Sequence, residues 1–141
     1  MTESALVGDD EHILSQLRAL RALGCSVACD DFGSGYSNLG QLMKLPLNMI
    51  KIDRQLLTTL HAMREESGDA KRSCRVMSAM VSIGDDMDAC IVAEGVETAQ
   101  QATSLRESGV QLLQGYLFSR PVDADHVMAL FADQELVPAI A

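Results

Sequence analysis

Asp30 and Asp31 stand side by side near the end of the apolar run Cys25 to Phe32, and three more short apolar runs end in a polar group: Lys51, Glu94 and Gln114. A strand buried on both faces has no structural use for a carboxylate or an ammonium, because an unpaired charge taken out of water is costly. One such residue on each of four runs points to a site assembled from strand ends; the competing reading is a structural ion-pair network. Three carboxylates and an amide, without histidine, form an oxygen-rich donor set suited to Mg2+ or Mn2+ rather than zinc. One carboxylate bridging two divalent ions about 3.5–4 Å apart, with its neighbour on one of them, is the usual arrangement for metal-assisted phosphoester hydrolysis. Lys51 would then orient the attacking water or neutralise a phosphate oxygen. Alternation sends Asp30 and Asp31 to opposite faces of a strand, so both reach one site only if the strand is ending, as Gly33 and Gly35 indicate.

The elements that must position these residues follow from hydrophobic spacing. Asp9 and Asp10 precede a helical stripe of Ile13, Leu14, Leu17, Leu20 and Leu23, closed by Gly24. Ser37 is a cap for a short second helix through Leu45, ended by Pro46. A third helix starts at Leu56, and the polar stretch Arg64 to Ser73 reads as a loop before a further helix carrying Val76, Met77, Met80 and Val81. Thr98 and Gln101 make a capping box for a helix ending at Gly109, and Asp123 opens the last helix. Strands are expected over Cys25–Phe32, Met49–Asp53, Cys90–Val96 and Leu112–Phe118. This alternation specifies an α/β fold with a parallel sheet and right-handed crossovers, in which ligands bind at the C-terminal strand ends.

At 141 residues the chain has the length of one domain. Its net charge of −9 argues against a nucleic-acid polymer or an anionic membrane as partner, since both select a basic face. An anionic small ligand would need a cation to hold it. No run approaches the roughly 18 apolar residues of a membrane span, and no secretory signal opens the chain, which fits a cytoplasmic setting. The cysteines show no CxxC pair, and Cys25, Cys29 and Cys90 read as reduced core residues. His12, His61 and His126 sit singly on helices as surface residues, and Lys71, Arg72 and Arg75 read as a solvated basic face. The segment Asp31 to Tyr36 has no following Gly-Lys-Ser/Thr, so it is no Walker loop. It reads either as a tight turn or as a mobile loop beside the site.

Four longer motifs then carry a resemblance. Asp30-Asp31-Phe32-Gly33-Ser34-Gly35-Tyr36-Ser37-Asn38-Leu39, Ile50-Lys51-Ile52-Asp53-Arg54, Val92-Ala93-Glu94-Gly95-Val96-Glu97-Thr98 and Gln114-Gly115-Tyr116-Leu117-Phe118-Ser119-Arg120-Pro121 resemble, in order, segments of the EAL-domain cyclic-di-GMP phosphodiesterases. Thr2-Glu3-Ser4 is similar to the end of that family's ELTES strand. The resemblance implies a TIM-like barrel that uses two Mg2+ or Mn2+ ions to cut one phosphodiester of cyclic-di-GMP, giving linear pGpG. It implies that Asp30 bridges the metals and Asp31 binds the second. Lys51 would position water and phosphate, and Glu94 would join the metal site and act as a proposed base. Glu97 would anchor the glycine loop around Gly33 and Gly35, and Gln114 would contribute the site amide. It also implies dimerisation through the glycine loop and the helix Ser37 to Leu45.

The departures from the family set further expectations. The EAL signature and the next strand's asparagine ligand have no counterpart, and the first glutamate of ELTES would fall one place before Met1. Three family metal ligands are therefore absent, while a full barrel takes roughly 250 residues. The expected architecture is thus a partial TIM-like barrel, with residues 1–133 as the C-terminal half of an EAL domain and 134–141 as a tail. Activity is expected to need the other half of the barrel, supplied by a longer chain, a second copy or a partner. The alternative function is a catalytically degenerate scaffold that binds cyclic-di-GMP or protein.

Overall fold

In the computed structural model, which describes residues 11–33, 39–67 and 70–132, four parallel strands form one sheet in the order β1-β2-β3-β4. The elements are α1 (Glu11–Ala22), β1 (Ala28–Phe32), α2 (Leu39–Leu42), β2 (Met49–Ile52), α3 (Arg54–Ser67), α4 (Ala70–Asp86), β3 (Cys90–Glu94), α5 (Ala99–Glu107), β4 (Leu112–Gln114) and α6 (Ala124–Ala132). The register pairs Cys29 with Ile50 and Ile50 with Ile91; Lys51 pairs with Val92, and Val92 with Leu112.

Because side chains alternate along a strand, this register divides the sheet chemically. Cys29, Ile50, Ile52, Ile91 and Ala93 share one face and are almost fully buried. With Leu60 of α3, Met77 and Val81 of α4, and Ala102 and Leu105 of α5 they form one apolar core. Burying such side chains contributes about 1.5–3 kcal/mol each before entropy is counted, which fixes the strands. The opposite face carries Lys51, Val92, Leu112, Glu94 and Gln114 and is more open, with Leu112 48% exposed. The polar residues thus sit on the face that the helices α3 to α5 do not cover.

Several boundaries depart from the sequence reading. Pairing starts at Ala28, so Cys25 lies before β1 and is exposed rather than in the core; Cys29 is buried and Cys90 half-buried, and all four cysteines are free. Asp53 falls outside β2 and caps α3 instead, its Oδ1 accepting the Gln55 N–H at 2.7 Å. The expected loop from Arg64 to Ser73 is largely helix: α3 continues to Ser67 and α4 begins at Ala70. Glu, Lys and Arg are good helix formers, so a polar run does not by itself break a helix. Ser73 is buried, and its hydroxyl donates to the Leu60 carbonyl at 2.7 Å, tying α4 to α3. β3 and β4 end at Glu94 and Gln114, earlier than expected, because the chain turns after each.

The α1 stripe forms a helix but buries none of its residues; Leu17 packs against the core while Ile13, Leu20 and Leu23 stay exposed. The cap expected at Ser37, Gly35, the Thr2–Ser4 segment and the tail from 134 lie outside the described residues. Asp123 caps α6, its Oδ1 accepting the His126 N–H at 3.0 Å, and no helix among the described residues is long and apolar enough to cross a membrane.

The expected capping box on α5 is complete. Thr98 Oγ1 accepts the Gln101 N–H at 3.2 Å, and Gln101 Oε1 accepts the N–H groups of Thr98 and Glu97 at 3.0 and 2.8 Å. Thr98→Ala is expected to cost about 1 kcal/mol, measured as a lower urea midpoint at unchanged slope. An unchanged midpoint would show that packing alone holds the β3–α5 turn.

Candidate metal centre

Lys51 stands on β2, between β1 and β3, and its ammonium joins the carboxylates of both neighbours. Its Nζ lies 2.7 Å from Asp30 Oδ1 and 2.6 Å from Glu94 Oε1. The parallel register accounts for this convergence. Lys51 follows Ile50, the partner of Cys29, so it lies beside Asp30, while Glu94 lies two residues beyond Val92, the partner of Lys51, on the same face.

Asp31 reaches the same place by a different device. Cys29 pairs with Ile50 and Phe32 with Ile52, so one extra residue is accommodated in β1 as a bulge, and Asp31 takes a left-handed conformation with φ +58°. Asp tolerates this region better than most residues, and a bulge re-aims side chains. The strand ends at Phe32, just before Gly33 as expected, but the bulge rather than that ending is what brings Asp31 to the site. One carboxylate oxygen from each of Asp30, Asp31 and Glu94 lies within 4.8 Å of the others.

These donors fit divalent ions of the Mg2+ and Mn2+ type. All are hard oxygens, and none is sulfur or imidazole. Oxygens on one octahedral ion at about 2.1 Å stand roughly 3–4.2 Å apart, so the cluster would need only a small closure. Gln114 is the register partner of Glu94 and shares its face, exposed at the rim.

The ammonium holds Asp30 below the ordinary carboxylate range, chiefly through its hydrogen bond, with partial burial opposing. Lys51 is pushed above its usual value by its hydrogen bonds to Asp30 and then Glu94, again against burial. A depressed carboxylate stabilises the fold above its unfolded pKa, and the contribution fades as pH falls through the folded value. A raised lysine contributes below its unfolded pKa and loses that contribution as pH rises through the folded one. The Lys51 pairs therefore act across the neutral range and weaken at both extremes.

Glu97 engages a residue to which the sequence reading gave no role. Its Oε1 meets an Arg54 guanidinium nitrogen at 2.8 Å. The Arg54 stem lies over Gly95, where a Cβ would meet the Arg54 Cγ at 2.6 Å and where φ is +72°. Glycine is required there on both counts. The only signal available in the sequence is a charged residue directly after the strand expected over Met49–Asp53. Gly33 turns the chain out of β1 at φ +93°, against Leu56; the contact expected between Glu97 and the glycine loop involves positions 34–38, outside the described residues. His61 is half-buried, lining a cleft between α3, α4 and α5, rather than lying on the surface.

A parallel β/α sheet with an acidic cluster at its C-terminal rim defines the class. Residues 1–121 match the EAL domain, and the chain belongs to that family. It is 40% identical over 122 residues to the cyclic di-GMP phosphodiesterase NbdA of Pseudomonas aeruginosa, covering 86% of this chain and 15% of that protein. It superposes on the EAL domain of Mycobacterium smegmatis DcpA with TM-score 0.78 and 34% identity, covering 94% of this chain and 56% of that one. It also matches Klebsiella pneumoniae BlrP1, solved with manganese and cyclic-di-GMP, with TM-score 0.69 and 33% identity over 85% of this chain and 29% of that one. EAL domains are TIM-like barrels, and this chain spans about half of one.

In Lys51→Met, the Asp30 carboxyl is expected to titrate at higher pH than in the wild-type protein, followed by carboxyl carbon NMR in metal-free buffer. An identical titration would show that the ion pair is not populated in solution.

Proposed function

We propose that this chain supplies one side of a metal-dependent cyclic-di-GMP phosphodiesterase site, cleaving one phosphodiester to give linear pGpG. The observation that carries the reading is the convergence of Asp30, Asp31 and Glu94 with Lys51 at the strand ends. Family membership and a relative solved with manganese and cyclic-di-GMP support it.

In this reading Asp30, in the bridging role, Asp31, for the second ion, and Glu94 would hold a pair of divalent ions. Mg2+ or Mn2+ held there would supply a nucleophilic water at neutral pH and offset phosphate charge. Lys51 orients that water or a phosphate oxygen, Glu94 accepts a proton, and Gln114 contacts the substrate from β4. Glu97, Gly33 and Gly35 set the loop beside the site. The cations also account for an acidic protein taking an anionic ligand.

Three carboxylates fill only part of two octahedral shells, so turnover depends on the rest of the barrel closing over the open sheet face. A second copy or a partner chain is one source of it. Exposed Leu39 and Met43, at and just after α2, support a homodimer contact at the helix expected for it.

Calorimetric titration of cyclic-di-GMP in Ca2+ tests the reading. Binding is expected to require the cation and to weaken at least about tenfold in Asp30→Asn. In Mn2+ the chain alone is expected to form pGpG slowly or not at all. Binding indifferent to both the cation and Asp30→Asn would contradict the assignment, and rapid turnover by the chain alone would contradict the need for the other half.

A further inference from the structure

Two of the three carboxylates that could together hold a divalent ion are already engaged by an ammonium. Asp30 Oδ1 and Glu94 Oε1 are each within 2.7 Å of Lys51 Nζ, and the third carboxylate of the cluster is Asp31. A divalent ion bound to those oxygens would stand close to Nζ, and two cations at such range repel strongly in a partly buried setting. The same oxygens therefore cannot serve both at full strength.

The lysine is built to move. Its charge sits at the end of four flexible methylenes, unlike the planar fork of arginine. Its side chain is 23% exposed, so the head can reach solvent while the stem stays on β2. β2 itself is fixed by pairing on both edges and by Ile50 and Ile52 in the core. Rotation of the stem therefore changes the ammonium's position without moving the strand.

We propose that Lys51 is an exchangeable counter-cation: it neutralises the carboxylate cluster in the metal-free protein, and divalent ions displace it from Asp30 and Glu94. The inference rests on the reading of that cluster as a metal site. It has two consequences. Metal affinity is lower than the carboxylates alone would give, because each ion must first break the Lys51 pairs. Displacement also frees a positive charge at the rim, so metal loading precedes and promotes capture of an anionic phosphodiester.

Mn2+ titrations of the wild-type chain, Lys51→Met and Lys51→Arg, followed by calorimetry and electron paramagnetic resonance, test this directly. Lys51→Met keeps the stem length and removes the charge, and it is expected to bind Mn2+ about tenfold more tightly. Lys51→Arg is expected to stay near the wild-type value. Circular dichroism checks the fold of each variant. Should Lys51→Met fail to fold, acetic anhydride labelling of the wild-type chain read by mass spectrometry supplies the answer: Mg2+ is expected to raise Lys51 acetylation severalfold and leave Lys44 unchanged. Unchanged or weaker Mn2+ binding in folded Lys51→Met, or protection of Lys51 by Mg2+, overturns the inference while leaving the metal reading intact. No Mn2+ uptake by any of the three proteins removes the metal reading and the inference with it.

Discussion

Like charges gathered at a half-open rim set the main constraint on this structure. Asp30, Asp31 and Glu94 come from two strands separated by β2, and their carboxylates approach closely enough to repel one another. Lys51, on the strand between them, offsets that repulsion with two short charge-assisted hydrogen bonds. The arrangement depends on the parallel order β1-β2-β3, which lines up Asp30, Lys51 and Glu94 on one face. An antiparallel or reordered sheet built from the same strands would scatter them.

The remainder of the molecule keeps that rim in place. The face under α3, α4 and α5 is apolar and closed, so the strands cannot slip by one residue without moving Ile50, Ile52 and Ile91 out of the core. Past the strand ends, the turns are held by specific contacts. Asp53 caps α3, Thr98 and Gln101 cap α5, and the Val96 N–H donates to the Gln114 carbonyl at 3.0 Å, linking the exits of β3 and β4. The Arg54–Glu97 pair spans the same rim. Such an exposed pair adds little stability, but together with Gly95 it sets where the Arg54 stem lies.

The core of the site was legible in the sequence because a charge at the end of an apolar run is conspicuous. Asp30, Lys51 and Glu94 meet as that reasoning expected, and Gln114 lies beside Glu94 by register. The route by which Asp31 joins them was not legible. Simple alternation excludes it, and the bulge that admits it is a backbone event with a positive φ, whereas Gly33 and Gly35 pointed to a strand ending. The Arg54–Glu97 pair was hidden because both residues are surface charges whose partners depend on two loop conformations. The loop expected between Arg64 and Ser73 failed for another reason: polarity was read as a break where residue types favour helix. Cys25 opens an apolar run and so reads as core, but β1 begins only at Ala28.

The proposed function rests on one central claim, that Asp30, Asp31 and Glu94 together coordinate divalent cations. Anomalous diffraction at the manganese edge, from crystals of this chain grown in Mn2+, tests it most directly. The account predicts a manganese peak in contact with the Asp30 and Glu94 carboxylates, with Lys51 Nζ moved off both. A fully occupied manganese elsewhere, with the Lys51 pairs intact and no peak at this cluster, would contradict it.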